Sequence, residues 1–142
     1  MSLHHFGIRV ASLDRSIDFY ATLGAAPLTE PLKIPGYIYG VPDGTVQMRL
    51  LGFPAGTGLE LFEFPEPPPP TDSAVPIPHL AIQVPDVDAA LARAESAGGG
   101  RLWPEPTYWG SVRVIYMRDP DGTVLEILDG TLTTVAAHRP GG

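Results

Sequence analysis

The sequence predicts an α+β fold: two like modules, each a strand, a helix and further strands, side by side as a curved mixed sheet enclosing a cavity. Three observations predict it. The stretch His5 to Gly24, HFGIRVASLDRSIDFYATLG, returns without a gap as His79 to Gly98, HLAIQVPDVDAALARAESAG, every position displaced by 79 − 5 = 74. Each copy closes on a similar strand-like run, Leu59-Glu60-Leu61 in the first and Leu125-Glu126-Ile127 in the second. A proline-rich stretch lies between them, so the modules occupy about residues 3–64 and 78–130, joined by a linker at 65–77, within one domain of 142 residues.

Taken in order, His5 to Val10 alternates, with Phe6, Ile8 and Val10 on one face and His5, Gly7 and Arg9 on the other, the period of a half-buried strand. A helix follows. Ser12 caps it, Asp14 suits its positive first turn, Leu13, Ile17, Tyr20 and Leu23 form its apolar stripe, and Gly24 stands at a left-handed exit. From there the signals are strands and turns: strand Pro27–Leu32, loop Lys33–Gly36, the run Tyr37–Val41, a Pro42-Asp43-Gly44 turn, and strands Thr45–Phe53 and Gly58–Phe64. In the last of these Glu60, Phe62 and Phe64 share one face and Leu59, Leu61 and Glu63 the other. The PEPPPP core of the linker is expected to be extended and stiff, a spacer between the modules.

The second module repeats the pattern with a strand His79–Val84 and an Asp86-capped helix that turns Val87, Leu91, Ala94 and Ala97 inward. Strands are expected at Gly100–Trp103, Val112–Met117 and Thr123–Leu128, with Asp119-Pro120-Asp121-Gly122 as the tight turn between the last two. The residues after Asp129 show no strong periodicity and read as a tail at 131–142.

Composition narrows the function. A net charge of −7 and an isoelectric point near 4.8 argue against nucleic acid and against an anionic membrane, because phosphate binding needs a basic face. No apolar run approaches membrane-spanning length, MSLHHFGIRV lacks the features of a signal peptide, and the expected location is the cytoplasm. Lys33 is the sole lysine, which leaves little for Schiff-base chemistry. With no cysteine in the chain, thiolate ligands and thiol nucleophiles are excluded and only His and carboxylate remain as strong metal ligands.

The alternation puts the histidines in register with the sheet face that the helix leaves bare, and the glutamates fit that face too. Any one of them alone is as well explained as an ordinary strand histidine or a solvated edge charge. Jointly, a histidine opening and a glutamate closing each copy are hard to obtain from packing, which favours apolar residues there. The expected site is therefore a metal centre at His5, Glu60, His79 and Glu126. Two neutral imidazoles and two carboxylates balance a divalent ion and leave two octahedral positions open, which suits Mn, Fe, Co, Ni, Mg or a higher-coordinate Zn. Such an ion can chelate neighbouring oxygens of a small-molecule substrate and stabilise an oxyanion, while a carboxylate moves the proton.

The H-x-G/A-I-x-V start of each module, the helix beginning LDRSIDFY and the closing DPDG-x-x-LEI resemble the vicinal oxygen chelate superfamily over about residues 3–130. The resemblance implies paired βαβββ modules around a divalent metal at the same four positions. Within that superfamily the chain is most similar to glyoxalase I and to methylmalonyl-CoA epimerase-like members. That implies an isomerase, epimerase or lyase acting on a small carbonyl or hydroxy-carbonyl substrate through a metal-stabilised enolate or enediolate, with Glu60 or Glu126 as the catalytic base. Arg9 matches an arginine that contacts the glutathione carboxylate in glyoxalase I, whereas Phe64 stands where that enzyme carries an asparagine, so an apolar or aromatic substrate is easier to accommodate. Tyr116 falls on a substrate-contacting tyrosine of the fosfomycin-modifying members, which lack the counterpart of Glu60.

Around this site Phe62, Phe64, Tyr108, Trp109 and Tyr116 are candidate substrate contacts with Arg9, and Tyr37, Tyr39 and Trp103 are further aromatics in glycine- and proline-rich loops. Arg49 either reaches into the cavity or sits on a solvated edge. A binding or resistance protein that sequesters a small aromatic, antibiotic-like compound without catalysis is the competing function. The stiff linker reaches on the order of 40 Å and so favours a homodimer, with His5 and Glu60 of one chain meeting His79 and Glu126 of another. A site closed within one chain is the alternative.

Overall fold

The computed structural model describes residues 2–69 and 78–137. Linker residues 70–77 and tail residues 138–142 lie outside the described residues, and with them most of the expectation for the linker. The chain divides into two compact units, Met1–Pro70 and Thr71–Gly142.

The first unit runs β1 (His5–Val10), α1 (Leu13–Ala21), β2 (Ala26–Pro27), β3 (Leu32–Pro35), a 3-10 turn (Gly36–Tyr39), β4 (Thr45–Gly52) and β5 (Gly58–Glu63). Its sheet has the order β1-β5-β4-β2, with β3 also on β4; β1 is parallel to β5 and the other pairs are antiparallel. Helix α1 starts where Ser12 Oγ accepts the Arg15 amide at 3.3 Å and where a Glu63 carboxylate oxygen from β5 accepts the Leu13 amide at 2.7 Å. It ends at Gly24, whose φ of 96° is left-handed. Leu13, Phe19, Tyr20 and Leu23 of this segment and Val10, Val46, Leu51, Leu59 and Leu61 of the sheet are buried and form the core. Phe19 is buried and Ile17 only half-buried, so the inward stripe differs there from the expectation; the Phe19 and Tyr20 rings pack edge to face at 5.1 Å and fill the space.

The second unit runs β6 (Leu80–Gln83), α2 (Val87–Ser96), β7 (Gly100–Arg101), β8 (Thr107–Trp109), β9 (Val112–Arg118), β10 (Val124–Leu128) and α3 (Leu132–Ala137). Its sheet repeats the first in order, β6-β10-β9-β7 with β8 on β9, and in sense, with β6 parallel to β10. Asp86 Oδ1 accepts the Ala89 amide at 3.0 Å and caps α2, which buries Val87, Ala90, Leu91 and Ala94; Ala97, expected inward, is half-buried. Among the described residues no helix is long and apolar enough to cross a membrane.

Four local expectations are corrected. The run Tyr37–Val41 is not a strand, because Gly40 takes a φ of 77° and the Val41 amide turns back to donate to the Gly36 carbonyl at 2.9 Å. The expected strand Pro27–Leu32 breaks up and its second part moves into the supposed loop as β3, since Pro27 and Pro31 have no N–H for a ladder. Residues Thr107–Trp109, read only as loop, pair with β9 as β8. The tail begins as a helix, where Thr131 Oγ1 accepts the Thr134 amide at 3.1 Å and Val135 packs on Val112, Val114 and Leu128.

Candidate metal centre

Strand register decides which side chains meet. In the first unit Gly7 lies opposite Glu60, so His5, two residues earlier on the same face of β1, is the diagonal neighbour of Glu60. In the second unit Ala81 lies opposite Glu126, and His79, again two residues earlier, is the diagonal neighbour of Glu126. The two units therefore build the same pair. His5 Nε2 lies 3.2 Å from a Glu60 carboxylate oxygen and His79 Nε2 lies 3.0 Å from one of Glu126. All four side chains are partly accessible, between 20% and 35% exposed, so solvent and a ligand can reach each pair.

These distances are those of a hydrogen bond, and they also pass a test for metal ligation. Two ligand atoms bound at about 2.1 Å to one ion stand about 3.0 Å apart at right angles and about 3.4 Å apart at the tetrahedral angle. The observed 3.0 Å matches the octahedral edge and the 3.2 Å lies between the two geometries. Donor chemistry fits as well, since imidazole and carboxylate are ligands for borderline and hard divalent ions. Among the described residues no group of three or more His, Asp or Glu side chains gathers closely enough to hold an ion, so each unit by itself offers a pair.

The surroundings of the two pairs differ. On the Glu60 face of the first sheet Phe62 and Phe64 follow Glu60 at every second residue, and Tyr39 from the 3-10 turn packs on both, with ring centroids 5.0 and 6.2 Å away. Gly7 leaves room for this shelf: a side chain there would meet the Phe62 ring at 3.3 Å. The Arg9 guanidinium lies 4.6 Å over the Phe64 ring and donates to the carbonyls of Glu66 and Pro67 at 2.8 and 3.4 Å. A cavity of about 490 Å³ is lined by His4 and His5 and mainly by apolar groups that include Leu28, Leu50, Phe53 and Pro54.

In the second unit Tyr116 is the direct cross-strand partner of Glu126, and its ring stands edge-on to those of His79 and Trp103 at 5.0 and 4.9 Å. Burial pushes the Tyr116 hydroxyl above the usual phenol range, and the charge of Glu126 and the hydrogen bond to it push the same way. The phenol thus stays protonated beside the carboxylate.

Not all the candidate contacts reach these faces. Arg9, Phe62 and Phe64 share the Glu60 face, and Tyr116 shares the Glu126 face with Trp109, the cross-strand partner of Val112. Arg49 does not: it lies opposite Leu61 on the helix-covered face, and its Nε donates to the Thr29 carbonyl at 2.9 Å. Tyr108 lies opposite Arg113, whose guanidinium stacks at 5.4 Å from the ring and binds Asp88 of α2 through both carboxylate oxygens at 2.8 and 2.9 Å, which places the trio on the helix side. Parity counted along isolated strands could not rank these residues; cross-strand register does. Sequence reading passed over His4, whose only signal was the His4-His5 doublet.

The geometry can be set beside known proteins. A family model for the Glyoxalase/Bleomycin resistance protein/Dioxygenase superfamily matches residues 2–127. The chain is 29% identical to the lactoylglutathione lyase of Haemophilus influenzae over 140 residues, covering 94% of this chain and 96% of that one. It is 28% identical to a 2-epi-5-epi-valiolone epimerase from an Actinomyces species over 145 residues, covering 91% and 79%. Among solved structures, the trypanothione-dependent glyoxalase I of Leishmania major superposes with a TM-score of 0.69 at 27% identity, over 96% of this chain and 92% of that one.

Proposed function

The chain belongs to the glyoxalase/bleomycin resistance protein/dioxygenase superfamily, and from that premise we propose that it is a divalent-metal-dependent isomerase, epimerase or lyase of a small carbonyl or hydroxy-carbonyl compound. The observation that carries the reading is the repeated diagonal, His5 with Glu60 and His79 with Glu126 at 3.2 and 3.0 Å. These four residues are the proposed metal ligands. An ion held by them supplies Lewis-acid stabilisation of negative charge on a substrate oxygen. Glu60 or Glu126 takes the proton beside the carbonyl and returns or relocates it. Tyr116, kept protonated, is a hydrogen-bond donor next to Glu126, and the shelf of Tyr39, Phe62 and Phe64 favours a substrate with a flat or apolar part. That lactoylglutathione lyase and epimerase enzymes align along most of this chain supports proton-transfer chemistry of this kind.

We further propose a homodimer in which each site takes one pair from each chain. The aromatic shelf also supports a second reading, a protein that sequesters a flat aromatic compound without turnover. Metal content separates the two. Purified protein, before and after incubation with Ni, Co, Mn, Fe, Mg and Zn salts, is assayed for bound ion, and solvent-deuterium incorporation is then screened over candidate carbonyl compounds. Stoichiometric ion with deuterium exchange supports the enzyme; protein that takes up no ion and exchanges nothing is the binder.

A further inference from the structure

We propose that His4 is a positioning residue that holds His5 ready for a metal ion, an inference that rests on the ligand set proposed above. His4 Nδ1 lies 2.6 Å from His5 Nδ1, and the two rings stand edge-on, 73° apart with centroids at 4.9 Å. Two ring nitrogens that close share one proton, so one imidazole donates and the other accepts. For His5 Nε2, the nitrogen beside Glu60, to offer its lone pair to an ion, the His5 proton must sit on Nδ1. His4 Nδ1 then accepts that Nδ1–H, and the His4 proton sits on its own exposed Nε2. Fixing tautomer and ring angle in this way is what outer partners of ligating histidines do.

The repeat that equates His5 with His79 puts Pro78 in the place of His4, and proline has no ring acceptor to offer. His79 is met edge-on by Tyr116. Exposure of His4 means that its replacement leaves the core untouched.

The test uses zinc, a diamagnetic probe, with full-length wild type and the variants His4→Ala, His4→Asn and His4→Gln. Asn sets its amide oxygen near the position of Nδ1, whereas Gln sets its own near Nε2, so Asn alone is expected to rescue. Zinc affinity by competition with a chelator should fall by about 10-fold or more in the Ala and Gln variants and largely return in Asn. In zinc-loaded, histidine-labelled protein the His5 Nδ1–H should give a resonance protected from water in wild type and Asn, and lost to exchange in Ala and Gln. Unchanged affinity and an unchanged resonance in His4→Ala would overturn the role of His4 while leaving the metal site standing. A zinc-shifted ring nitrogen on His4 would make it a ligand and overturn the positioning role. Wild type that binds no zinc and none of the other divalent ions would overturn both.

Discussion

Replacing Asp119 by Ala tests whether the turn before β10 sets the frame of the second unit. Asp119 is 3% exposed, and its Oδ1 accepts the amides of Asp121 and Thr123 at 2.9 and 2.8 Å, while Gly122 takes a φ of 93° to close the loop. Removing the oxygen leaves two amides without their acceptor, at about 1–3 kcal/mol each when water cannot replace it. Asp121 and Thr123 are half-buried, so water partly does, and the low end applies: about 2 kcal/mol for the pair. With a denaturant slope of about 2 kcal/mol/M this moves a urea midpoint down by about 1 M. Trp103 and Trp109 are the only tryptophans and both lie in the second unit, so fluorescence excited selectively at tryptophan reports on that unit. Asp119→Asn keeps an acceptor and should recover most of the loss. A midpoint shift below about 0.25 M for the Ala variant, or an Asn variant as weak as Ala, would refute the role given to these two hydrogen bonds.

Four further outcomes are expected. His79→Ala removes a proposed imidazole ligand and should cost more metal affinity than the roughly 10–100-fold typical of an outer-shell partner; retention of ion and full activity would break the ligand assignment. Glu60→Gln keeps an oxygen donor but is a poor base, so turnover should fall further than metal binding in parallel calorimetric and kinetic assays. If the proposed homodimer shares its sites, mixed dimers of His5→Ala and His79→Ala chains should regain activity, because one of the two sites is then intact; no recovery after verified subunit exchange points to sites within single chains. Because the Tyr116 hydroxyl titrates higher in the folded chain than unfolded, folding stability is full below about pH 10, the ordinary phenol value, and lost as pH rises through the raised one. Tyr116→Phe should flatten that decline in urea unfolding curves between pH 9 and 11.

Much of the architecture was legible from residues alone because it rests on local chemistry that repeats. Ser12 and Asp86 announce helix starts by offering a side-chain oxygen to an orphan amide, and Gly24 and Gly98 announce the exits by tolerating a left-handed φ. Period-two alternation places His5 and Glu60 on faces without any knowledge of partners. The gapless repeat pointed to the two histidines and the matching closing runs to the two glutamates, since packing alone gives no reason for a histidine and a glutamate at matching places.

Tertiary structure decided what alternation along one strand cannot. A strand's two faces are equivalent until a neighbour is paired, so the sequence leaves the side of Arg49 open and gives none to Tyr108, and only pairing with Leu61 and with Arg113 places both on the helix side. Short strands carry too few residues for a period, which is why β3 and β8 were read as loops, and α3 forms because Val135 finds Val112, Val114 and Leu128, contacts that no local propensity announces. The diagonal that brings each histidine to its glutamate is likewise a property of parallel register: residues 55 and 47 positions apart meet because two strands align, and the chain between them records only that each can be a strand.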